Sequence, residues 1–196
     1  MKRLLLTVIL LVGTSISLAF TTIKRSQEEY LNLASYKELV IAEISIAAPE
    51  LSIDTKNHSK FLKDIGFRES TNRYEVVNRL GYMGKYQFHS KTLKALGYDV
   101  SKKEFLNDPS LQEEAMHKLL QSNKKTLQKY IDKYDGKTVH GIYITESGIL
   151  AAAHLGGAGN VSKWFRRGIN FKDANGTKIT NYMQIFSGYT LDLYGR

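Results

Sequence analysis

Glu69-Ser70, Gly84-Lys85-Tyr86-Gln87-Phe88 and Ala151-Ala152-Ala153-His154-Leu155-Gly156-Gly157-Ala158-Gly159 are the three stretches on which the reading of this chain turns. Ahead of the first, Phe61, Leu62 and Ile65 form a short apolar stripe, so Glu69 is expected at the end of a short amphipathic helix. Residues 70–89 lack helical periodicity and carry Tyr74, Gly81, Tyr82, Gly84 and Tyr86, which reads as a loop or a short hairpin. Gly-rich, aromatic-rich chain is poor material for a core and good material for a groove. The third stretch is nearly all small or apolar, so it reads as a helix buried on most sides that another backbone or a ligand can approach closely. One carboxyl group between two such walls is what a cleft that cuts a sugar polymer needs.

The rest of the chain reads as helices. Ser90 opens one, closed by Gly97. Ser101 with Glu104 makes a capping box. Asp108-Pro109 starts the longest helix, with Asp as N-cap and Pro at the first helical position, stopping before Gly136. Leu111, Ala115, Leu119, Thr126, Tyr130 and Tyr134 lie along it at roughly helical spacing. Thr145 or Ser147 caps a helix from Gly148 to about Phe165. Asp173-Ala174-Asn175-Gly176 is a turn, and Thr180 caps a last short helix ending near Gly188. The expectation is a mainly α domain with an irregular loop or small hairpin beside the cleft.

Glycosidic bond cleavage requires a proton for the leaving oxygen. Glu69, backed by Phe61, Ile65 and Phe67, is the candidate donor, with desolvation as the means of keeping it protonated. An exposed glutamate at a helix end is the commoner use of that residue, and only the two companion stretches set this one apart. Glu75 and Asp99 are the candidates for a second carboxylate, and neither stands at a recognisable motif position. Gln87 offers a donor and an acceptor to a sugar substituent, while Tyr82 and Tyr86 offer flat faces, although Tyr86 and Phe88 equally suit a core. His154 reads either as a partner of substrate or of Glu69, or as a structural histidine. Gly156 and its neighbours mean close packing or close ligand approach. Tyr182 and Tyr189 close the groove or cap the core.

In this order and spacing the three stretches resemble the lysozyme-like superfamily, and within it the lytic transglycosylases and related phage and bacterial muramidases. The resemblance spans roughly Ser59 to Tyr189. It implies a lysozyme-like helical fold, with Glu69 of the Glu-Ser pair as the acid that protonates the leaving group and then takes the proton of the muramoyl O6, giving a 1,6-anhydro product. Gly84 to Phe88 is similar to the family's Gly-x-Tyr-Gln-Phe form of the sugar-positioning element, which implies substrate contacts from Ser70, Tyr82, Gly84, Tyr86, Gln87, His154, Gly156 and Tyr182. Where the family carries an Ala-Tyr-Asn-x-Gly element, this chain has His154-Leu155-Gly156-Gly157, so the usual tyrosine and asparagine have no counterpart there.

The ends and the composition set the compartment. Lys2 and Arg3 precede an uncharged apolar run from Leu4 to Phe20, with Ser17 and Ala19 small enough to flank a cleavage site. Residues 1–20 are therefore expected to be a signal peptide, or a signal anchor holding the chain to the membrane. Either places the domain outside the cytoplasm, in the periplasm or cell envelope, or secreted. Residues 21–57 read as a helix over Gln27 to Ala48, ended by Pro49, and a polar linker. Residues 58–196 are the catalytic domain. Without cysteine there is no disulfide, no thiolate metal site and no lipid-modified N-terminus. Five histidines without an i, i+4 pair, and no Gly-rich phosphate loop, give no expectation of a metal or other cofactor.

The formal charge of +9 suits an anionic surface such as a cell wall, and the scattering of the basic residues speaks against nucleic acid. The expected partner is the glycan strand of peptidoglycan. A hydrolytic lysozyme-like glycosidase is the alternative within enzymes. A non-catalytic wall-binding component of a secretion machine is the alternative outside them.

Overall fold

Local signals set most of the helix boundaries. The computed structural model describes residues 55–195, together with Lys24, Arg25, Ser26, Asn32, Ser35 and Lys37. These last six lie in helical backbone; the apolar run Leu4 to Phe20, and otherwise the expected helix Gln27 to Ala48, fall outside the described residues. Residues 54–196 form one compact unit and residues 1–53 another. The described part is mainly helical with one two-stranded sheet. No helix among the described residues is long and apolar enough to cross a membrane.

Helix α1 runs His58–Ser70, with the Asn57 side chain accepting from the Lys60 N–H at its start. It stops because Thr71 and Asn72 both turn left-handed, at φ 57° and 61°, and return their N–H groups to Phe67 and Gly66. Helices α2 (Ser90–Ala95), α3 (Lys102–Asn107) and α4 (Pro109–Tyr134) follow, with the Ser101–Glu104 box and the Asp108 cap both formed. Strands β1 (Thr138–Val139) and β2 (Ile142–Tyr143) make a hairpin whose turn residues His140 and Gly141 both have positive φ, as a two-residue loop of this hand requires.

Two boundaries differ from expectation. The helix expected from Gly148 to about Phe165 is two, α5 (Glu146–Gly156) and α6 (Ala158–Arg167), because Gly157 takes φ 78°, ψ 150° and leaves helical space. Thr145 caps α5, while Ser147 is buried within its first turn and accepts from the Tyr189 N–H. The last helix, α7, is Ile179–Ile185. Thr180 does not cap it; that hydroxyl is buried inside the helix and accepts from the Asn170 amide at 2.8 Å.

Every residue of α5 from Ser147 to Ala153 is buried, and α7, α6 and α4 pack around it. The closest approach is at Gly148, where an added Cβ would meet the Met183 carbonyl oxygen at 2.5 Å. Only glycine lets the α7 backbone come so near. The C-terminal end of α5 and the middle of α7 meet the end of α1 at Glu69. The seam of α4 is offset from the expected stripe: Gln112, Met116, Leu120, Asn123 and Leu127 face inward with Ala115, and Thr126 is exposed. A buried Gln and Asn within that seam hide it from a purely apolar reading.

Candidate active site

Three helices bring one side chain each to a single point. Glu69 comes from the last turn of α1, Tyr182 from α7 and His154 from the last turn of α5. The Tyr182 hydroxyl donates to Glu69 Oε1 at 2.7 Å. His154 Nε2 stands 3.7 Å from the same oxygen, leaving Glu69 Oε2 without a protein partner among the described residues. The side chains of Glu69 and His154 are 16% and 6% exposed. Burial and the carboxylate beside it push the Tyr182 phenol well above its usual range, so it remains a donor. The Arg68 guanidinium lies over the Tyr182 ring, 5.1 Å from its centroid. Burial likewise drives the His154 imidazole below its usual value, against the pull of Glu69 and of the Tyr86 backbone. Its Nδ1 makes no well-formed hydrogen bond.

Glu69 and His154 line an open groove. The loop after α1 contributes Asn78, Leu80, Tyr82 and Gln87; the end of α5 contributes Leu155; and the turn before α7 contributes Asp173, Ala174 and Asn175. Leu80 and Tyr82 are large apolar side chains left exposed at its edge. Gln87 holds φ 51°, unusual outside glycine, and donates its amide to the Gly84 carbonyl at 2.9 Å. Its Oε1 has no partner among the described residues. Amide groups, an apolar edge and two carboxyl groups, those of Glu69 and Asp173, make a surface suited to a polar, flat-faced ligand.

The loop keeps its shape through bonds its own sequence does not reveal. Met83 exchanges both backbone bonds with Phe88, and Met83 also bridges to Val77. Beneath it, the fully buried Gln112 of α4 accepts from the Lys85 N–H and donates to the Tyr74 and Phe105 carbonyls. The adjacent Glu113 accepts from Lys85 Nζ at 2.7 Å, the Tyr74 hydroxyl at 2.7 Å and the Tyr86 hydroxyl at 2.6 Å. Burial would raise the Glu113 carboxyl, but these donors outweigh it and hold it below its ordinary value.

Of the expected site residues, the structure brings Glu69, Tyr82, Gln87 and His154 to the groove. Tyr182 reaches it only as a partner of the acid, since its ring is 3% exposed. Four others belong to the scaffold. Ser70 is buried, its hydroxyl 2.9 Å from the Lys85 carbonyl and accepting from the Arg73 N–H, so it pins the loop to α1. Tyr86 is fully buried with its hydroxyl on Glu113. Gly84 makes room for Gln112, whose Oε1 would overlap an added Cβ. Gly156 makes room for Ile179 and Phe171, at 2.6 and 2.9 Å. Phe67, expected behind the acid, is 63% exposed. Glu75 and Asp99, considered as second acids, are exposed and off the groove.

Sequence reasoning missed Asn78, Leu80, Leu155, Asp173 and Asn175. Asn78 was findable, lying in the loop already singled out. Asp173 was legible only as a turn residue, and its Oδ1 does accept from the Asn175 and Thr177 N–H groups. Among the described residues no cluster of three or more His, Cys, Asp and Glu could hold a metal ion. No family model, curated protein or solved structure matches the chain, so the site is read from its own geometry.

Proposed function

We propose that this chain is an exported peptidoglycan lytic transglycosylase with a lysozyme-like fold, cleaving the bond between N-acetylmuramic acid and N-acetylglucosamine with Glu69 as acid and base. The observation that carries this reading is a partly buried carboxyl group on an open groove, held by a buried tyrosine through one oxygen and with no partner among the described residues at the other. Glu69 gives its proton to the leaving oxygen as the glycosidic bond breaks. Its carboxylate then takes the proton of the muramoyl O6, which closes on the anomeric carbon, and the glutamate ends as it began. No water enters and no second acid is needed. Asn78, Gln87 and Asn175 supply hydrogen bonds for acetamido and hydroxyl groups, and Leu80 and Tyr82 supply ring faces. The mainly helical architecture, with the acid at a helix end beside an irregular loop, supports the family reading. The charged and apolar N-terminal pattern supports export to the periplasm or cell envelope.

One observation favours a second reading. Asp173 also lines the groove, with one oxygen tied into its own turn and the other without a partner among the described residues. A carboxylate there suits activation of a water, which would make the enzyme a hydrolase. Mass spectrometry of muropeptides from digested sacculi separates the two. Anhydromuramic ends support the transglycosylase, and reducing ends, lost in Asp173→Asn, support the hydrolase.

A further inference from the structure

His154 has a place at the acid but no part in the reaction as written. Its side chain is nearly enclosed although the groove it lines is open to solvent. Its ring stands edge-on to Phe88, centroids 6.3 Å apart, so packing fixes its orientation. One nitrogen, Nδ1, is buried and makes no well-formed hydrogen bond, although the Tyr86 backbone acts on the ring; the other faces Glu69 Oε1 at 3.7 Å. A neutral imidazole carries one N–H and one lone pair. A proton on Nδ1 would have only the poorly aligned Tyr86 carbonyl as acceptor, whereas a proton on Nε2 faces the carboxyl group of Glu69, the stronger acceptor once that group is charged.

We propose that His154 is a positioning residue for Glu69, donating from Nε2–H to the carboxylate during the interval between its giving and regaining a proton. The inference rests on the reading of Glu69 as acid and base. While Glu69 is protonated, Oε1 needs no second donor and the 3.7 Å separation is a loose contact. Once the proton has gone to the leaving oxygen, the charge on the carboxyl group draws the imidazole in, as catalytic hydrogen bonds commonly tighten beyond the unliganded state. Tyr182 and His154 then hold Oε1 from two helices, and Oε2 is left to collect the sugar proton. An uncharged ring suits this task. A permanent imidazolium would fix Glu69 as a carboxylate and remove the acid, and burial opposes that charge.

The other charged or titratable groups around the pair do not supply this donor. Tyr182, from α7, already donates to Oε1. Arg68, from α1, is exposed and laid over the Tyr182 ring. Asp173, from the turn, is itself an acceptor.

The test is turnover of purified sacculi against pH for the wild type, His154→Ala, His154→Gln and Glu69→Gln, with melting temperatures for each. Loss of a donor to a charged group predicts a fall of about 10–100-fold in kcat for His154→Ala with KM little changed. Its Glu69-dependent limb should move to higher pH, because the carboxylate form has lost a stabilising bond. His154→Gln, which keeps an N–H donor, should recover part of the rate. An unshifted profile with only a lower melting temperature would make His154 structural and overturn the inference. A shift to lower pH would overturn it too, placing the lone pair on Glu69. Near-wild-type activity in Glu69→Gln would instead remove the underlying assignment of the acid.

Discussion

Tyr182 donates its hydroxyl to Glu69 Oε1 at 2.7 Å, joining α7 to the end of α1 across 113 positions of chain. The tyrosine ring is buried, so this bond is held by core packing and not by a mobile surface side chain. Tyr182→Phe keeps the ring and removes the bond. Wall-cleaving turnover should fall by about 10–100-fold, the worth of a hydrogen bond to a charged group, while the melting temperature stays near that of wild type. Steady-state digestion of sacculi and thermal unfolding check the two halves; full activity in the variant would show that the contact does not matter to the reaction.

Gly148 sets how closely α7 approaches α5. Gly148→Ala places a methyl group within van der Waals overlap of the Met183 carbonyl. Overpacking of this kind costs about 1–3 kcal/mol. Because α5 and α7 carry His154 and Tyr182, activity per folded molecule should fall as well, which circular dichroism melts combined with activity normalised to folded protein will reveal. A stability loss with unchanged specific activity would separate this contact from the site.

Gln87 occupies left-handed backbone space, which disfavours a side chain by roughly 1–2 kcal/mol. Gln87→Gly relieves that strain and removes the groove amide. The expected outcome is a melting temperature equal to or above that of wild type, with reduced turnover. Reduced stability would mean that the bond from Gln87 to the Gly84 carbonyl outweighs the strain.

Glu113 titrates below its ordinary value in the folded chain, so the unfolded chain binds its proton first as pH falls. Its contribution is present above about 4.5 and is lost as pH drops from there through the lower folded value. Glu113→Gln should therefore be less stable than wild type at neutral pH, by about 1–2 kcal/mol for a part-exposed carboxylate with three donors. The two melting curves should converge on acidification. His58 and His154, both held below 6.5 by burial first of all, add a decline that begins just below that pH and is common to both proteins. Parallel curves down to strongly acidic pH would contradict the role given to Glu113.

What the sequence made legible is what local chemistry controls. Ser101 and Glu104 cap each other within four residues, Asp108-Pro109 caps and starts α4, and the apolar stripe of Phe61, Leu62 and Ile65 marks the helix whose last turn carries Glu69. What it concealed depends on distant partners. Nothing near Tyr182 announces Glu69, and nothing in Gly84-Lys85-Tyr86-Gln87-Phe88 announces Gln112 and Glu113, so Gly84 and Tyr86 passed for groove residues when they complete a buried clip. The run Gly156-Gly157-Ala158-Gly159 was ambiguous in kind: Gly156 is there for packing, Gly157 for a backbone break, and the letters are the same. The hairpin at Thr138–Val139 and Ile142–Tyr143 is too short to carry a period.

The most direct measurement of the central claim is digestion of purified sacculi by Glu69→Gln beside the wild type, with released muropeptides quantified by mass spectrometry. Glutamine preserves the shape of the side chain and accepts the Tyr182 hydrogen bond but has no proton to give. The account predicts a folded protein whose release of anhydromuropeptides is lower by about 10²–10⁴-fold, the usual contribution of a general acid and base. Release within a few-fold of wild type would contradict it.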